Sequence, residues 1–437
     1  MPRLFKRLSI KNRILKNAAW IIGCKIVQAL LGVAVTMISA RFLGPSNYGI
    51  INYAISVFAF ILPVMQLGFD QILVREFVDR PDKEGSIIGT ALCLNLLSAF
   101  VCYICALGFV LIANYDDTVT FIVCALYGIN IFFQAVMMIQ YWFQSKLFSK
   151  YTSLIMLGAY VVVSAYKIIL LVSGKSIYWF AISETIEYAL VSIAMLITLK
   201  KLSGIKLSFS RDQAVKMLKK GRYYIVSAMM VTIFAQTDKI MLMLMVGDKA
   251  VGFYSAASTC ASMTAFVFVA IIDSARPSIL ESKHNSNDIF ENNMSMLYSV
   301  IIYFALVQSL LIAVFAKPIV WVLYGSDYGE SVNILRLIVW YTTFSYMGAV
   351  RNIWILAEDK YSVLWKINLS GSLCNIVLNF ILIPFMGTMG AALASLITQI
   401  FTNVIIGFIM KSIRPNNRLM LRGLNPKMLI NKLKKSI

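Results

Sequence analysis

Apolar residues in this chain are gathered in runs of about 20, separated by short polar stretches rich in lysine and arginine. A helix of about 20 apolar residues crosses a hydrocarbon core of about 30 Å, whereas membrane β-strands are short and alternate in polarity. The pattern therefore predicts an all-α polytopic membrane protein. It predicts twelve transmembrane helices, at residues 17–38, 50–70, 87–112, 119–142, 153–173, 177–198, 223–246, 252–272, 296–316, 331–356, 362–384 and 387–410.

The 40 lysine and arginine residues are distributed unevenly between the two sides of this predicted arrangement. Thirty lie in the two termini and in the loops that share their side, four lie in the opposite loops, and six lie within spans. Because lysine and arginine favour the cytoplasmic side, both termini are predicted to be cytoplasmic. The same bias accounts for the formal charge of +20 without a nucleic-acid partner.

A glycine spacing that occurs twice suggests that the chain contains an internal duplication. Gly44 and Gly49 have the same spacing as Gly247 and Gly252, at an offset of 203 residues. Both halves begin on the same side, which is typical of a parallel repeat about an axis along the membrane normal. The predicted order is a basic N-terminal segment (1–16), a six-helix bundle (17–198), a basic cytoplasmic linker (199–222), a second six-helix bundle (223–410) and a basic tail (411–437).

Ionisable residues inside the spans are the most informative polar positions, because a charge at mid-bilayer costs about 2.5–3.5 kcal/mol on insertion scales. Such residues line a cavity, form ion pairs or extend to the interface. The cations predicted to line a substrate cavity are Lys25, Lys167, Lys239, Arg336, Arg351 and Lys366. The acids predicted to serve ion coupling or ion pairing are Asp70, Glu184, Glu187, Asp238 and Asp273.

These residues differ in depth and in the partners they can reach. Lys25, Lys167 and Lys239 lie deepest, whereas the other three cations lie near span ends and could equally extend to the interface. Glu184 and Glu187 share a helix face, with Lys167 as a plausible ion-pair partner. Asp238 and Lys239 are helix neighbours that point about 100° apart. A basic cavity suits an anion, above all a phosphate.

No pattern of an enzyme or of a cofactor site occurs. The single histidine, His284, and the seven cysteines within apolar segments form no zinc-ligand cluster. Ile50 follows Gly49 where a phosphate-binding loop needs lysine. The outer loops are short, so the function is expected to reside in the helices, with no metal and no cofactor.

Several short motifs, in this order along the chain, resemble the polysaccharide transporter family of the MATE-like multidrug/oligosaccharidyl-lipid/polysaccharide exporter superfamily. The O-antigen and capsule-repeat flippases are its most similar members. The motifs are Asn17-x-x-Trp20, the ARFLGPSNYG stretch from Ala40, the LGF of 67–69 followed by LVREF, the Gln236-x-Asp238-Lys239 segment, VGxxxVGFYSAA from Val246, and LNFILIPFMGTMGAALAS from Leu378.

The resemblance implies two six-helix bundles around a central cavity in the bacterial inner membrane. It implies a flippase that moves an undecaprenyl-diphosphate-linked oligosaccharide from the inner to the outer leaflet by alternating access coupled to an ion gradient. Glycan polymerase and chain-length machinery are the protein partners it suggests. In this architecture the first and seventh helices border the cavity, and here they carry Lys25 and Lys239; no coupling-ion motif carries over.

Two alternatives remain open. A multidrug or cation antiporter of the same superfamily would have an acidic cavity, against which the deep lysines argue. A membrane glycan polymerase or glycosyltransferase would have a large outer loop with catalytic carboxylates. Glycan recognition would use aromatic and amide side chains, for which the candidates are Tyr141, Trp142, Tyr160, Trp340, Trp354, Asn375 and Asn379.

Overall fold

The computed structural model describes residues 2–426, with side chains from Trp20 onward except at 21 and 22. Within that range the chain is helical and no β-strand occurs. Eight helices in the described range are long and apolar enough to cross a membrane, and a ninth span results if the bent pair Asp248–Ser262 and Ala265–Asn285 is counted as one. The predicted all-helical multi-pass fold is confirmed, and the number of twelve crossings stays a prediction.

The chain divides into two compact units. The first contains the chain up to Leu43 and Ile50–Thr232. Its helices are α1 (Pro2–Met65, apart from residues 44–49), α2 (Phe69–Asp79), α3 (Glu84–Ala113), α4 (Thr118–Gly128), α5 (Asn130–Val136), α6 (Gln140–Ser145), α7 (Ser149–Val172), α8 (Ile177–Ser203) and the first part of α9 (Arg211–Met245).

The second unit contains Gly44–Gly49 and the chain from Ile233 onward. Its helices are the rest of α9, α10 (Asp248–Ser262), α11 (Ala265–Asn285), α12 (Asn287–Val314), α13 (Ala316–Leu323), α14 (Ser331–Ala357), α15 (Ser362–Ile400), α16 (Ile406–Ile409) and α17 (Arg414–Gly423), with a π-helical turn at Phe401–Ile405.

Glycines interrupt the two longest helices. Gly44 has φ 73° inside α1 and Gly387 has φ 55° inside α15, a backbone conformation that glycine adopts without steric cost. Each interruption lies between two predicted spans, so α1 and α15 each contain two of the predicted spans joined at a glycine. Pro63, in the second predicted span, does not end the helix: α1 continues to Met65, and the chain breaks at Leu67 (φ 53°) and Gly68 (φ 69°).

The two Gly-x4-Gly turns pack against each other reciprocally. A Cβ on Gly49 would lie 1.9 Å from the carbonyl oxygen of Asp248, and one on Gly252 would lie 2.0 Å from that of Pro45. Pro45 and Asp248 are equivalent at the offset of 203 residues, as are the two glycines. Ser46 Oγ also donates a hydrogen bond to the Asp248 carboxylate. Only glycine fits at both positions because a backbone carbonyl occupies the space of its side chain.

Each unit has its own core, and the outward helix faces are apolar. In the first unit Phe69, Phe77 and Phe143 are fully buried, and in the second Phe290 and Tyr298 are. On α3 the exposed side chains include Leu97, Phe100, Val101, Ile104 and Ile112. A continuous apolar face of this length is unusual on a soluble monomer and fits contact with lipid. The protein is therefore a multi-pass membrane protein.

The connection between α8 and α9 is anchored to the first unit. Ser210 N donates to Thr90 Oγ1 at 2.9 Å, and a Cβ on Gly89 would lie 2.4 Å from the carbonyl oxygen of Ser208. Lys220, early in α9, pairs with the buried Glu76. The long basic connection is thus held against α2 and α3 before α9 continues into the second unit.

Candidate functional site

Asp238, on α9, accepts hydrogen bonds from four polar side chains, more than any other carboxylate in the described part of the second unit. It is only 6% exposed. Asn375 Nδ2 and Asn379 Nδ2 donate to its Oδ1 at 3.1 and 2.6 Å. The hydroxyls of Tyr254 and Ser395 donate to its Oδ2. Both carboxylate oxygens are thus held by neutral donors from α10 and α15.

The break at Gly387 brings the α15 donors to the same carboxylate. Asn375 and Asn379 lie one turn apart and share a face of the first arm of α15. Past Gly387 the chain turns, and Gly390 allows the second arm to approach the first, since a Cβ there would lie 2.4 Å from the carbonyl oxygen of Leu382. Ser395, on the second arm, then reaches Asp238.

No cation neutralises Asp238 among the described residues: none of the ion pairs in this range involves it. Removing an ionised carboxylate from water carries a penalty of several kcal/mol, which the four hydrogen bonds to Asp238 counteract. Beside it, Asn379 Oδ1 is buried and has no hydrogen-bond partner in the described chain. A negative charge next to an unused acceptor oxygen can take up a proton or a small oxygen-preferring cation.

Asp238 and Lys239 line the same cavity, although they are neighbours on one helix. The cavity has a volume of about 200 Å³ and is also lined by Tyr254, Tyr341 and Ser395. Lys239 is half-buried and forms no ion pair within the part of the chain that the structure describes. The cavity therefore combines an ammonium group, able to hold an anion, with a carboxylate able to hold a cation.

The other predicted cations lie in different settings. Lys167 Nζ pairs with Glu184 Oε1 at 2.9 Å, so the anticipated ion pair is present. Arg351 is buried, and its Nη1 donates to the carbonyl oxygen of Thr402 at 2.6 Å in the π-helical turn. Exposed positions are occupied by Lys25, Arg336 and Lys366. Of the six, only Lys239 lines the cavity beside Asp238.

The remaining acids divide between surface and interior. Asp273 is largely exposed and pairs with Arg276 at 2.8 Å. Glu187 is half-buried, one turn from Glu184. Asp70 accepts from Gln71 Nε2 at 2.5 Å and lines a second cavity, in the first unit.

The family model of the polysaccharide biosynthesis proteins matches residues 14–283. The chain belongs to this family. The predicted resemblance to the polysaccharide transporters is thereby confirmed.

Other members and solved structures agree with this assignment. A capsular polysaccharide biosynthesis protein, CapF of Staphylococcus aureus, is 22% identical over 401 residues, covering 88% of this chain and 96% of its own length. An inward-facing multidrug resistance MATE family transporter of the MOP superfamily aligns over 90% of this chain and 95% of its own, with a TM-score of 0.72 and 12% identity. The lipid II flippase MurJ, in an inward closed conformation, aligns over 95% of this chain and 92% of its own, with a TM-score of 0.72 and 16% identity. These similarities establish the MATE-like fold.

Two residues of the Asp238 site, Tyr254 and Ser395, were not predicted from the sequence. Both lie in motifs that carry the resemblance, VGFYSAA and GAALAS. The paired asparagines 375 and 379 were anticipated only as candidates for glycan contact. The signal that could have found them is two amides one helical turn apart in an otherwise apolar span, since such side chains need a polar partner.

Proposed function

We propose that this protein is a flippase that moves an undecaprenyl-diphosphate-linked oligosaccharide repeat unit from the inner to the outer leaflet of the bacterial cytoplasmic membrane. It works by alternating access and uses an ion gradient. The observation that carries the proposal is the placement of Lys239 and the un-neutralised Asp238 on one cavity. Family membership, the capsular relative CapF and the MATE-like fold shared with MurJ support it.

Lys239 is the residue proposed to attract the diphosphate. Its ammonium group lies in the cavity without a carboxylate in ion-pair contact, so its charge is available to an incoming anion. A charge-assisted hydrogen bond to phosphate is about twice as strong as a neutral one. Lys25, Arg336, Arg351 and Lys366 remain proposed as further cations along the path of the diphosphate, whereas Lys167 is already paired with Glu184.

Asp238 is the residue proposed to couple flipping to the gradient. Taking up a proton or a sodium ion would cancel a buried charge that only neutral donors now stabilise. Each elementary charge moved through a potential of 100 mV contributes about 2.3 kcal/mol. Because the carboxylate opposes the attraction of Lys239 for an anion, cation binding at Asp238 and diphosphate binding at Lys239 are energetically linked, and the linkage is reciprocal.

The test is flipping of a fluorescently tagged undecaprenyl-diphosphate oligosaccharide in proteoliposomes, read as exposure of the tag on the receiving leaflet. Lys239→Ala removes a charge-assisted contact of about 1.5–3 kcal/mol and is expected to slow flipping by about 10–150-fold. Lys25→Ala is expected to weaken flipping as well. The matched control is Lys249→Ala, at an exposed position in the first turn of α10, which should flip at the wild-type rate.

Wild-type flipping by both Lys239→Ala and Lys25→Ala would contradict the proposed substrate path. Flipping that ignores imposed proton and sodium gradients alike would contradict the coupling. The two results are independent, because the first concerns the anion and the second the cation.

A multidrug or cation antiporter is the second candidate, favoured by the un-neutralised Asp238 and by the fold shared with the MATE transporter. The same proteoliposomes distinguish the two functions. Uptake of an organic cation that depends on Asp238, without flipping of the lipid-linked glycan, would select the antiporter. Glycan synthesis as an enzyme is not supported by the fold, whose relatives here are transporters.

A further inference from the structure

The first unit holds a separate cavity, of about 140 Å³, whose walls come from α2, α3, the α5–α6 region and α8. Most of its lining side chains are polar. The principal polar ones are Asp70, Asn95, Gln134, Gln140, Tyr141 and Tyr188. The proposed diphosphate site does not use this cavity, which therefore needs its own explanation.

Asn95 is the clearest sign that the cavity has a ligand. It lies on α3, is only 2% exposed, and its Oδ1 has no hydrogen-bond partner in the described chain. A buried amide oxygen without a partner costs about 1–3 kcal/mol relative to a satisfied one. A ligand hydroxyl or amine that donates to Asn95 would recover this free energy.

Two irregular stretches shape the walls. The chain is 3₁₀-helical at Met137–Ile139, where each residue turns about 120° instead of about 100°. Over three residues the difference rotates Gln140 by about 60° toward the face that carries Gln134, Met137 and Tyr141. On the opposite wall the break at Leu67–Gly68 begins α2, whose first turn presents Phe69 and Asp70.

The α2 wall is fixed against α9. A Cβ on Gly68 would lie 2.5 Å from the carbonyl oxygen of Gly221, and one on Gly221 would lie 2.1 Å from that of Leu67. This contact leaves no room for a side chain on either glycine, so it holds the start of α2 in place. Gln134 is also oriented, since its Nε2 donates to Asn130 Oδ1 at 2.8 Å.

Size and chemistry indicate one sugar ring. At about 10–15 Å³ for each water-sized site, the cavity accommodates about ten non-hydrogen atoms, near the size of a hexose ring. Amide side chains offer donors and acceptors together, which match the hydroxyls of a sugar, and the aromatic side chains offer flat apolar faces. A multivalent cation would instead need several carboxylates, and Asp70 is the only one among the lining residues.

We propose that this cavity binds one sugar residue of the transported glycan and that Asp70 makes it select an uncharged or amino sugar over an acidic one. The inference rests on the proposed function, since it names a part of the same substrate. A uronic acid would bring its carboxylate next to Asp70, and like charges at close range oppose binding. An amino sugar would instead donate to Asp70 as a cation.

The experiment is saturation-transfer NMR on the full-length protein in detergent, with free glucose, glucosamine and glucuronate as probes. The wild type is expected to bind glucose and glucosamine, and to bind glucuronate at least about tenfold more weakly. Asp70→Asn keeps the shape and removes the charge, so it should admit glucuronate and weaken glucosamine. Asn95→Leu should abolish binding of all three sugars.

Two controls separate binding from folding. Gln308→Leu replaces a buried amide of the second unit that does not line this cavity, and it should leave all sugar signals unchanged. Asp82→Asn replaces an exposed acid in the turn before α3 and should retain the discrimination against glucuronate. Elution of every variant as a monodisperse peak would show that a lost signal does not reflect unfolding.

Absence of sugar binding by the wild type would overturn the inference, as would sodium binding that depends on Asp70 without any sugar signal. Equal binding of glucuronate and glucose by the wild type would overturn the role of Asp70. Failure of the proposed function gives a different result, namely sugar binding that is intact in detergent together with no flipping in proteoliposomes.

Discussion

Each unit contains an acid within a membrane-spanning helix, and the two acids are satisfied in opposite ways. In the first unit Glu184 pairs with Lys167 at 2.9 Å, so the charges cancel locally. In the second, Asp238 accepts hydrogen bonds from two amides and two hydroxyls. The ion pair is complete without any ligand, whereas the carboxylate of Asp238 has no cation in ion-pair contact among the described residues. This difference is the basis of the coupling role that we propose for Asp238.

Of the variants that test this comparison, Asp238→Asn is expected to have the largest effect on flipping. The amide has nearly the same shape and no charge, so the site should no longer take up a cation. Flipping should lose its dependence on an imposed sodium or proton gradient, by a factor of about 5–150, which is the range of usual coupling free energies. The measurement is the flipping rate in proteoliposomes with and without the gradient. A variant that still responds fully to the gradient would remove Asp238 from the coupling.

Asn379→Leu distinguishes coupling to a sodium ion from coupling to a proton. It removes the unused acceptor oxygen and one donor beside Asp238 while keeping the carboxylate. A sodium ion needs several oxygen ligands, so sodium-driven flipping should fall by about tenfold, whereas a proton needs only the carboxylate. Initial rates are compared under a sodium gradient and under a proton gradient of equal size. Unchanged sodium-driven flipping would indicate that Asn379 does not contribute a ligand.

Lys167→Met tests the first unit. It leaves Glu184 without its cation, and removing one partner of a fully buried pair costs about 3–5 kcal/mol. Here both side chains are about a fifth to a third exposed, so we expect a smaller loss, of about 1–2 kcal/mol. The readout is a fall in the Tm of the detergent-solubilised protein, with Lys175→Met in the turn between α7 and α8 as the control. A wild-type Tm would show that the pair contributes nothing to stability.

The smallest effect is expected from the double variant Lys167→Met and Glu184→Gln. Replacing both members of a partly buried pair by uncharged side chains of similar size is often neutral. The free energy of unfolding should return to within about 0.5 kcal/mol of the wild-type value, with a matching recovery of Tm, and gradient-dependent flipping should persist. Loss of coupling in this variant would mean that the first unit also takes part in ion movement, and the contrast between the two acids would fail.

Much of the fold could be predicted from the sequence because the signals are local. Apolar runs predicted the helices, and the repeated glycine spacing predicted the turns near Gly44 and Gly247. The ion pair of Lys167 and Glu184 could also be predicted from the sequence, since α7 and α8 are joined by a short turn and the two residues are 17 apart in sequence. Local spacing therefore sufficed wherever the partners are neighbours along the chain.

The Asp238 site could not be predicted in the same way. Its partners are 16, 137, 141 and 157 residues away, and three of them meet only because α15 folds back at Gly387. The helical angle between Asp238 and Lys239 also suggested that the two residues face different surroundings. They share a cavity instead, because the cavity is wide enough to reach both side chains.

The reciprocal contact of the two Gly-x4-Gly turns has a consequence for the history of the chain. Pro45 meets Gly252 as Asp248 meets Gly49, which is the self-complementary pattern of a twofold-symmetric homodimer interface. An ancestor of half this length would have met a second copy of itself through this turn. Once fused, each copy could vary alone, which allowed a charged pair such as Asp238 and Lys239 to arise where the first copy has Val35 and Thr36.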